Sequence, residues 1–292
     1  MSSAAPAEPT VRAVRDEVVA LLSRAGVPDP EVDADLLVGH VLGEGRGRVQ
    51  ALIHLDATVG DADASRIREL AQRRATREPL QHITGKAPFR SLELAVGPGV
   101  FVPRPETEHV VQFAIDALRA VPSPEPIGVD LGTGSGAIAL AMATEVPHAR
   151  IHAVENSPEA FIWAKRNVEE SGATNARVVF IDLADALPEL DGTVDVVISN
   201  PPYIPAEAIP RDPEVRLYDP PAALYGGQDG LDVVRTISRV ARRLLHEGGT
   251  LVLEHGELQG AEIRELLTAD GWRAAATHRD LTTRDRTTTA VR

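Results

Sequence analysis

The sequence predicts an α/β protein: a sheet of parallel strands covered by helices on both faces, preceded by a small helical bundle and a β-hairpin linker. Three observations carry that expectation. Beyond Arg104, short apolar runs alternate with helical patterns, as in a parallel sheet buried on both sides. A glycine-rich turn joins the first of these strands to the helix after it. Residues 9–77 instead show helical spacing, and the pattern changes at Pro79.

In chain order, "MSSAAPAEPT" lacks the apolar stretch of a secretory signal, so residues 1–8 are expected to be a disordered leader. "VRAVRDEVVALLSRAG" places Val11, Val14, Val18, Leu21 and Leu22 on one helical face, and Gly26 ends it. "DPEVDADLLVGHVLG" follows, with Asp29 as N-cap and Pro30 at the first helical position. In "DADASRIRELAQRRATRE", Ile67, Leu70 and Ala71 point inward. These helices, residues 9–77, are expected to form a bundle that recognises a substrate. Strand-like alternation over Pro79–Val102, with turns at Gly85 and Gly97–Gly99, assigns residues 78–103 to the hairpin linker. Residues 104–292 form the catalytic domain. Its strands are expected at Ile127–Leu131, Ile151–Glu155, Val178–Asp182, Val194–Ser199 and Thr250–Glu254, with two more near Arg273–Thr277 and Thr287–Val291. Helices cover "GAIALAMATEV", "SPEAFIWAKRNVEESG" and "GLDVVRTISRVARRLL".

Composition narrows the function classes. No apolar run is long enough to span a bilayer. The absence of cysteine removes disulfides, thiolate metal sites and a Cys nucleophile, and it fits the cytoplasm. Net charge is −13, while residues 1–90 hold 12 basic and 13 acidic side chains, so nearly all the negative charge lies beyond them. An acidic body is a poor partner for phosphate backbones, and no direct nucleic-acid binding is expected. A monomer is expected.

"GVDLGTGSGAIAL" holds Gly132, Gly134 and Gly136 at the strand-to-helix turn, where a backbone must turn tightly and approach a ligand. Glu155 ends the second strand, where a ribose-binding acid belongs. The pair implies a nucleoside cofactor at the carboxyl edge of the sheet, without choosing between NAD and S-adenosylmethionine. Asp130, just before the loop, leans toward the latter: an acid repels a diphosphate but supports an ammonium group.

"SNPPYIP" then follows the apolar "VDVVIS". A conjugated nitrogen is a poor nucleophile because its lone pair is delocalised. Acceptors that grip its N–H bonds can aim that lone pair at an electrophilic methyl. The Asn200 side-chain oxygen and the Pro201 carbonyl are two such acceptors. Proline fixes φ and restricts the preceding residue, which holds both in one geometry. Tyr203 offers a face for a planar group. Catalysis is then positioning and preorganised dipoles.

"EPLQHITG" (Glu78–Gly85), "FVPRPETE" (Phe101–Glu108), "DLGTGSGAIAL" (Asp130–Leu140), "SNPPYIP" (Ser199–Pro205) and "YDPPAALYGGQDGLD" (Tyr218–Asp232) occur in this order. In this the chain resembles, over nearly its whole length, the protein-(glutamine-N5) methyltransferases that modify peptide-chain release factors (PrmC/HemK type). The resemblance implies a Rossmann-like S-adenosylmethionine-dependent methyltransferase sheet. It also implies methyl transfer to the glutamine of a release factor's Gly-Gly-Gln loop, leaving S-adenosylhomocysteine. By resemblance, Gly132, Thr133, Gly134, Ser135 and Gly136, with Asp130, surround the methionine end. Glu155 binds the ribose; Asp182 and Leu183 flank the adenine. Phe101 and Arg104 wall the cofactor, with Arg104 placed to pair with its carboxylate. Asn200, Pro201, Pro202 and Tyr203 hold the glutamine beside it, and the NPPY motif is catalytic. Enzymes of this type more often carry Asp at the Glu155 position and an aromatic at Leu183.

Rival readings are a ribosomal-protein glutamine methyltransferase, which differs at "RPETE"; an N6-adenine methyltransferase on DNA or RNA; an NAD-dependent oxidoreductase; and a non-catalytic nucleotide sensor. Arg66, Arg73, Arg74 and Arg77 read as a solvated face in preference to a docking face. His40, His54 and His82 read as structural, and "EHGE" (Glu254–Glu257) lacks a second His for a metal. Gly226-Gly227-Gln228 repeats the substrate tripeptide and reads as a glycine turn in preference to a self-methylation site.

Overall fold

A computed structural model describes residues 8–292; the expected leader, Glu8 apart, lies outside the described residues. The first elements are α1 (Val11–Arg24), α2 (Pro30–Leu42), α3 (Arg46–His54), α4 (Asp61–Ala75), α5 (Leu80–Thr84), β1 (Lys86–Phe89) and β2 (Leu92–Ala95). Next come α6 (Pro105–Ala120), β3 (Ile127–Leu131), α7 (Ala137–Glu145), β4 (Arg150–Glu155), α8 (Pro158–Ser171), β5 (Ala176–Phe180) and β6 (Val194–Ser199). The chain closes with α9 (Pro213–Tyr218), α10 (Pro221–Leu224), α11 (Asp232–Leu244), β7 (Leu245–Glu254), α12 (Gly260–Ala269), β8 (Arg273–Arg279) and β9 (Asp285–Val291). Two compact units result: residues up to Gly85 together with Arg211–Tyr218, and Lys86–Pro210 together with Asp219–Arg292.

The helical unit is built on a core from α1, α2, α3 and α4, with Val14, Leu22, Leu37, Val38, Val49 and Leu70 fully buried. Thr10 caps α1 by accepting from the Ala13 amide. Asp29 occupies the N-cap of α2, but its side chain makes no cap hydrogen bond; Pro30 at the first turn removes one donor that would need it. The arginine row is not uniformly solvated. Arg66 is exposed and pairs with Glu69, and Arg73 pairs with Glu78. Arg74 is buried between Asp33 and Glu214, and Arg77 donates twice to Glu214 at 2.7 and 2.5 Å. The solvated-face reading thus fails at Arg74 and Arg77, because residues far along the chain, in Arg211–Tyr218, bring a carboxylate back to them. His40 and His54 are exposed, whereas His82 is buried.

The second unit holds the two-stranded hairpin β1–β2 and a seven-stranded sheet in the order β5-β4-β3-β6-β7-β9-β8. Strands β5 to β7 are parallel, but β9 runs antiparallel between β7 and β8, so the sheet is mixed where a parallel one was expected. One face is packed by α6 and α7, with Ile115, Leu118, Leu140 and Met142 buried. The other is packed by α11 and α12, with Ile237, Leu244, Ile263 and Leu267. α7 is apolar all round and correspondingly enclosed. α8 begins at Ser157, whose hydroxyl accepts from the Ala160 amide, and ends on left-handed Gly172. The strand order reverses between β3 and β6, and ligands of open α/β sheets bind at the carboxyl ends beside such a reversal.

Candidate active site

Four chain segments end at that carboxyl edge: the glycine loop after β3, Glu155 on β4, the Asn200 elbow after β6 and Glu254 on β7. Their side chains are held by a small number of specific bonds.

Asp130 is fully buried at the end of β3. Its Oδ2 accepts from the Thr133 hydroxyl at 2.5 Å and from the Ala139 amide at 3.2 Å, which pins the loop to the start of α7. Burial pushes its carboxyl up to about 7, although those two hydrogen bonds pull the other way. Its Oδ1 has no hydrogen-bond partner among the described residues. The role visible for Asp130 is therefore to fix the loop. Gly132 and Gly134 have φ of +76° and +59°, and a Cβ on either would meet nothing within 4 Å, so the loop borders open space. Asn167 clamps the loop from α8 through the Ser135 carbonyl.

Glu155 accepts from the backbone amides of Gly134 (2.8 Å), Asn156 (3.0 Å) and Ser157 (2.9 Å). A carboxylate has about four acceptor positions, so little is left for a ribose beyond one further bond. Asp182 is exposed, accepting from the Ala184 amide and the Asn156 side chain, and Leu183 is half-buried against the sheet's second core. Arg104 lies 4.8 Å over the Phe101 ring and donates to the buried Asp219 at 2.6 Å. One edge of its guanidinium is thus committed within the protein. This set of acidic and neutral acceptors around open space suits a nucleoside bearing a positive charge better than a diphosphate.

The elbow is stiffened from below. Ser199 Oγ donates to the Leu131 carbonyl at 2.5 Å, tying β6 to β3. Ile204 and Tyr225 form an isolated parallel bridge. The Gly226–Gly230 loop packs beneath: a Cβ on Gly226 would lie 2.4 Å from the Pro202 carbonyl oxygen, and one on Gly230 2.3 Å from that of Tyr203. Close approach to the elbow is what the Gly226-Gly227-Gln228 run provides. Gln259 spans the same region, donating to the Tyr203 carbonyl at 3.0 Å and accepting from the Gly256 amide. Among the described residues no donor reaches the Pro201 carbonyl. Asn200 Nδ2 donates to the Thr107 hydroxyl at 3.3 Å. Burial raises the Tyr203 phenol to about 12, which keeps it neutral.

Thr107, Glu254, Gln259 and the close-packed glycines were not singled out for the site from sequence. Glu254 closes β7, the strand beside the one that carries Asn200, an adjacency that only the fold reveals. No group of three His, Asp or Glu that could hold a metal ion occurs among the described residues, at "EHGE" or elsewhere. His255 is instead buried, bonded to Thr288 and the Gly256 carbonyl. No helix among the described residues is long and apolar enough to cross a membrane.

Comparison with known proteins extends this picture. Residues 13–85 match the PrmC N-terminal domain, and residues 93–217 match the methyltransferase small domain. A release factor glutamine methyltransferase of Streptomyces coelicolor is 52% identical, covering 92% of this chain and 93% of its own. The 4-amino-L-phenylalanine/4-methylamino-L-phenylalanine methyltransferase of Streptomyces pristinaespiralis is 40% identical, covering 98% and 96%. The crystal structure of a methyltransferase from Pyrococcus furiosus shares the fold, with a TM-score of 0.51 at 21% identity over 69% of this chain and 89% of that one. The sheet is therefore the Rossmann-like methyltransferase sheet, whose fold and family imply S-adenosylmethionine as cofactor. By both domain matches and by close likeness along almost its full length, this chain belongs to the release factor glutamine methyltransferase family.

Proposed function

We infer that the chain transfers the methyl group of S-adenosylmethionine to the N5 amide of the glutamine in a release factor's Gly-Gly-Gln motif, and that Asn200 and Pro201 hold that amide. The observation that carries the reading is the rigid elbow after β6: one backbone carbonyl, at Pro201, unengaged among the described residues, and one anchored carboxamide at Asn200. When bound, the cofactor supplies an electrophilic methyl on a sulfonium. The glycine loop from Gly132 to Gly136 borders the open space where its methionine end fits. Glu155 has capacity for a ribose hydroxyl, and Leu183 for packing against the adenine. Arg104 and Phe101 close the wall, Arg104 with the guanidinium edge left free by Asp219.

Asn200 Oδ1 and the Pro201 carbonyl grip the two N–H bonds of the glutamine amide, so its lone pair points at the methyl. So aimed, the nitrogen would bond to the methyl carbon as that carbon's bond to sulfur broke, and the methylated nitrogen would shed a proton to solvent. Tyr203, neutral at physiological pH, presents its ring and does not act as a base. The helical unit, residues 9–77 with the Arg211–Tyr218 segment, selects the factor, since an elbow that reads only an amide cannot choose one glutamine among many. With its translation-factor substrate and no cysteine, the enzyme works in the cytoplasm, as a monomer.

The relative that acts on 4-amino-L-phenylalanine gives a second reading one foothold, since its named substrate also carries a conjugated nitrogen. The test offers labelled S-adenosylmethionine with a release factor, its Gly-Gly-Ala variant, a ribosomal protein, duplex DNA or 4-amino-L-phenylalanine. Label is expected on the intact factor alone, and label on the free amino acid or DNA alone would replace the reading. Asn200→Ala is expected to lower kcat by about 100-fold or more with cofactor affinity retained.

A further inference from the structure

Glu254 is the least explained charge in the molecule. It ends β7, is 2% exposed, forms no salt bridge among the described residues, and leaves Oε2 without a hydrogen-bond partner there. The β6–β7 register, which pairs Ser199 with Leu253, brings Glu254 out beside Asn200, and the neutral Thr107 hydroxyl and Asn200 amide act on its carboxyl as hydrogen-bond donors. A buried carboxylate so poorly compensated works against folding.

Asn200 presents a problem that such a group solves. Its carboxamide has nearly identical faces, one accepting and one donating. Only Oδ1 can grip a substrate N–H; a flipped amide would set N–H against N–H. Some group must fix the orientation from behind. Ionised Glu254 is acceptor-only, so the Thr107 hydroxyl must send its proton toward it and turn a lone pair toward Asn200. Asn200 Nδ2, donating to Thr107 at 3.3 Å, is then drawn inward, and Oδ1 is left facing out. We propose that Glu254, together with Thr107, is a positioning pair that fixes the Asn200 amide with Oδ1 toward the substrate nitrogen; this rests on the elbow reading above.

The surroundings tie this to pH. Burial pushes the Glu254 carboxyl up to about 7; Thr107, Arg286 on β9 and Asn200 lower it, and Glu106 in the first turn of α6 raises it. Tyr203 also faces Glu254 and is neutral. Arg286 itself is engaged with the His255 carbonyl. A protonated Glu254 would donate to Thr107, and the polarity of the chain to Asn200 would no longer be fixed.

The experiment measures methyl transfer to the release factor between pH 6 and 9 for wild type, Glu254→Gln, Thr107→Val, Asn200→Ala and the Asn200→Ala/Glu254→Gln double variant. Cofactor affinity is followed by calorimetry. Glu254→Gln is expected to lose kcat by about 10–100-fold, with KM for the factor and cofactor affinity within about twofold. It should also lack the acid limb near pH 7 that wild type shows. The double variant should be no slower than Asn200→Ala, because both changes act on one unit. Thr107→Val gives the same comparison by a different route should Glu254→Gln fail to fold. Wild-type kcat in Glu254→Gln, or a loss that multiplies on top of Asn200→Ala, overturns the proposal. If Asn200→Ala is itself fully active, the elbow reading fails and takes this one with it. If Asn200→Ala is inactive and Glu254→Gln is normal, only the positioning role is lost.

Discussion

Glu214 in the helical unit and Glu254 in the sheet unit are both buried glutamates, and their environments drive them in opposite directions. At Glu214 burial pushes the carboxyl up, but hydrogen bonds from Arg77 and Arg74 outweigh it and hold the group at about 2. At Glu254 burial wins, with the carboxyl at about 7. Asp130, also in the sheet unit, behaves like Glu254. Asp35 in the helical unit behaves structurally like Glu214, receiving Arg15, Arg46 and Gln50. The helical unit thus compensates its interior acids with directly bonded guanidinium groups, whereas at the carboxyl edge of the sheet Asp130 and Glu254 are hydrogen-bonded by neutral donors and Arg286 offsets the burial of Glu254 only in part. Direct pairing with guanidinium holds a buried carboxylate ionised; without it burial raises the pKa, the pattern that marks a group as a candidate for function.

The largest effect expected from this contrast is in the helical unit. Glu214→Ala leaves Arg74 with Asp33 as its one close carboxylate and Arg77 with only the more distant Asp212, at 4.0 Å, and breaking a buried pair in this way costs about 3 kcal/mol. Urea unfolding followed by far-ultraviolet circular dichroism measures it. Both tryptophans, Trp163 and Trp272, lie in the sheet unit, so their fluorescence should be nearly indifferent to the change. A fluorescence transition that shifts as far as the dichroism would dissolve the distinction between the units.

The second effect concerns pH, and its sign differs between the units. Glu214 has a folded pKa below its unfolded value near 4.5, so its contribution is present above that value and fades as pH falls toward about 2. Asp130 has a folded pKa raised from 3.8 to about 7, so the sheet unit loses stability as pH rises through that interval. Asp130→Asn should therefore gain about 2 kcal/mol at pH 8 relative to its effect at pH 5, read from tryptophan fluorescence. An equal effect at both pH values would mean that the aspartate is ionised in the fold throughout.

The two units also differ in how far the sequence discloses them. In the sheet unit, alternation alone locates the strands: Ile127–Leu131 and Val194–Ser199 coincide with β3 and β6, and the others agree to within a few residues at most ends. β7 is the exception, starting at Leu245 because "LHEGG" pairs irregularly before Thr250. The reversed direction of β9 is invisible, because "TTTAV" reads alike in either orientation. α6 passed unread behind the "RPETE" motif, and α3 is short and glycine-bearing. Asn200 and the glycine loop are legible because their chemistry is local to a turn. Glu254 and Thr107 are not, because their meaning depends on which strand ends lie side by side. The helical unit hides more: the fate of Arg74 depends on Glu214, which lies far along the chain.

Arg66 supplies the smallest expected effect and closes the contrast. It shares the α4 arginine row with Arg73 and Arg74, but both it and its partner Glu69 are more than half exposed, one helical turn apart. Exposed pairs at that spacing contribute about 0.3–0.5 kcal/mol, weakened further by salt. Arg66→Ala should thus shift unfolding by less than about 0.5 kcal/mol, against several times that for Glu214→Ala. The same variant separates stability from recognition. If α4 presents Arg66 to the release factor, kcat/KM for the factor falls while unfolding stays put; if the residue is merely solvated, both hold. A large loss of stability on removing Arg66 would show that position in the row, and not burial of the pair, decides what an arginine contributes here.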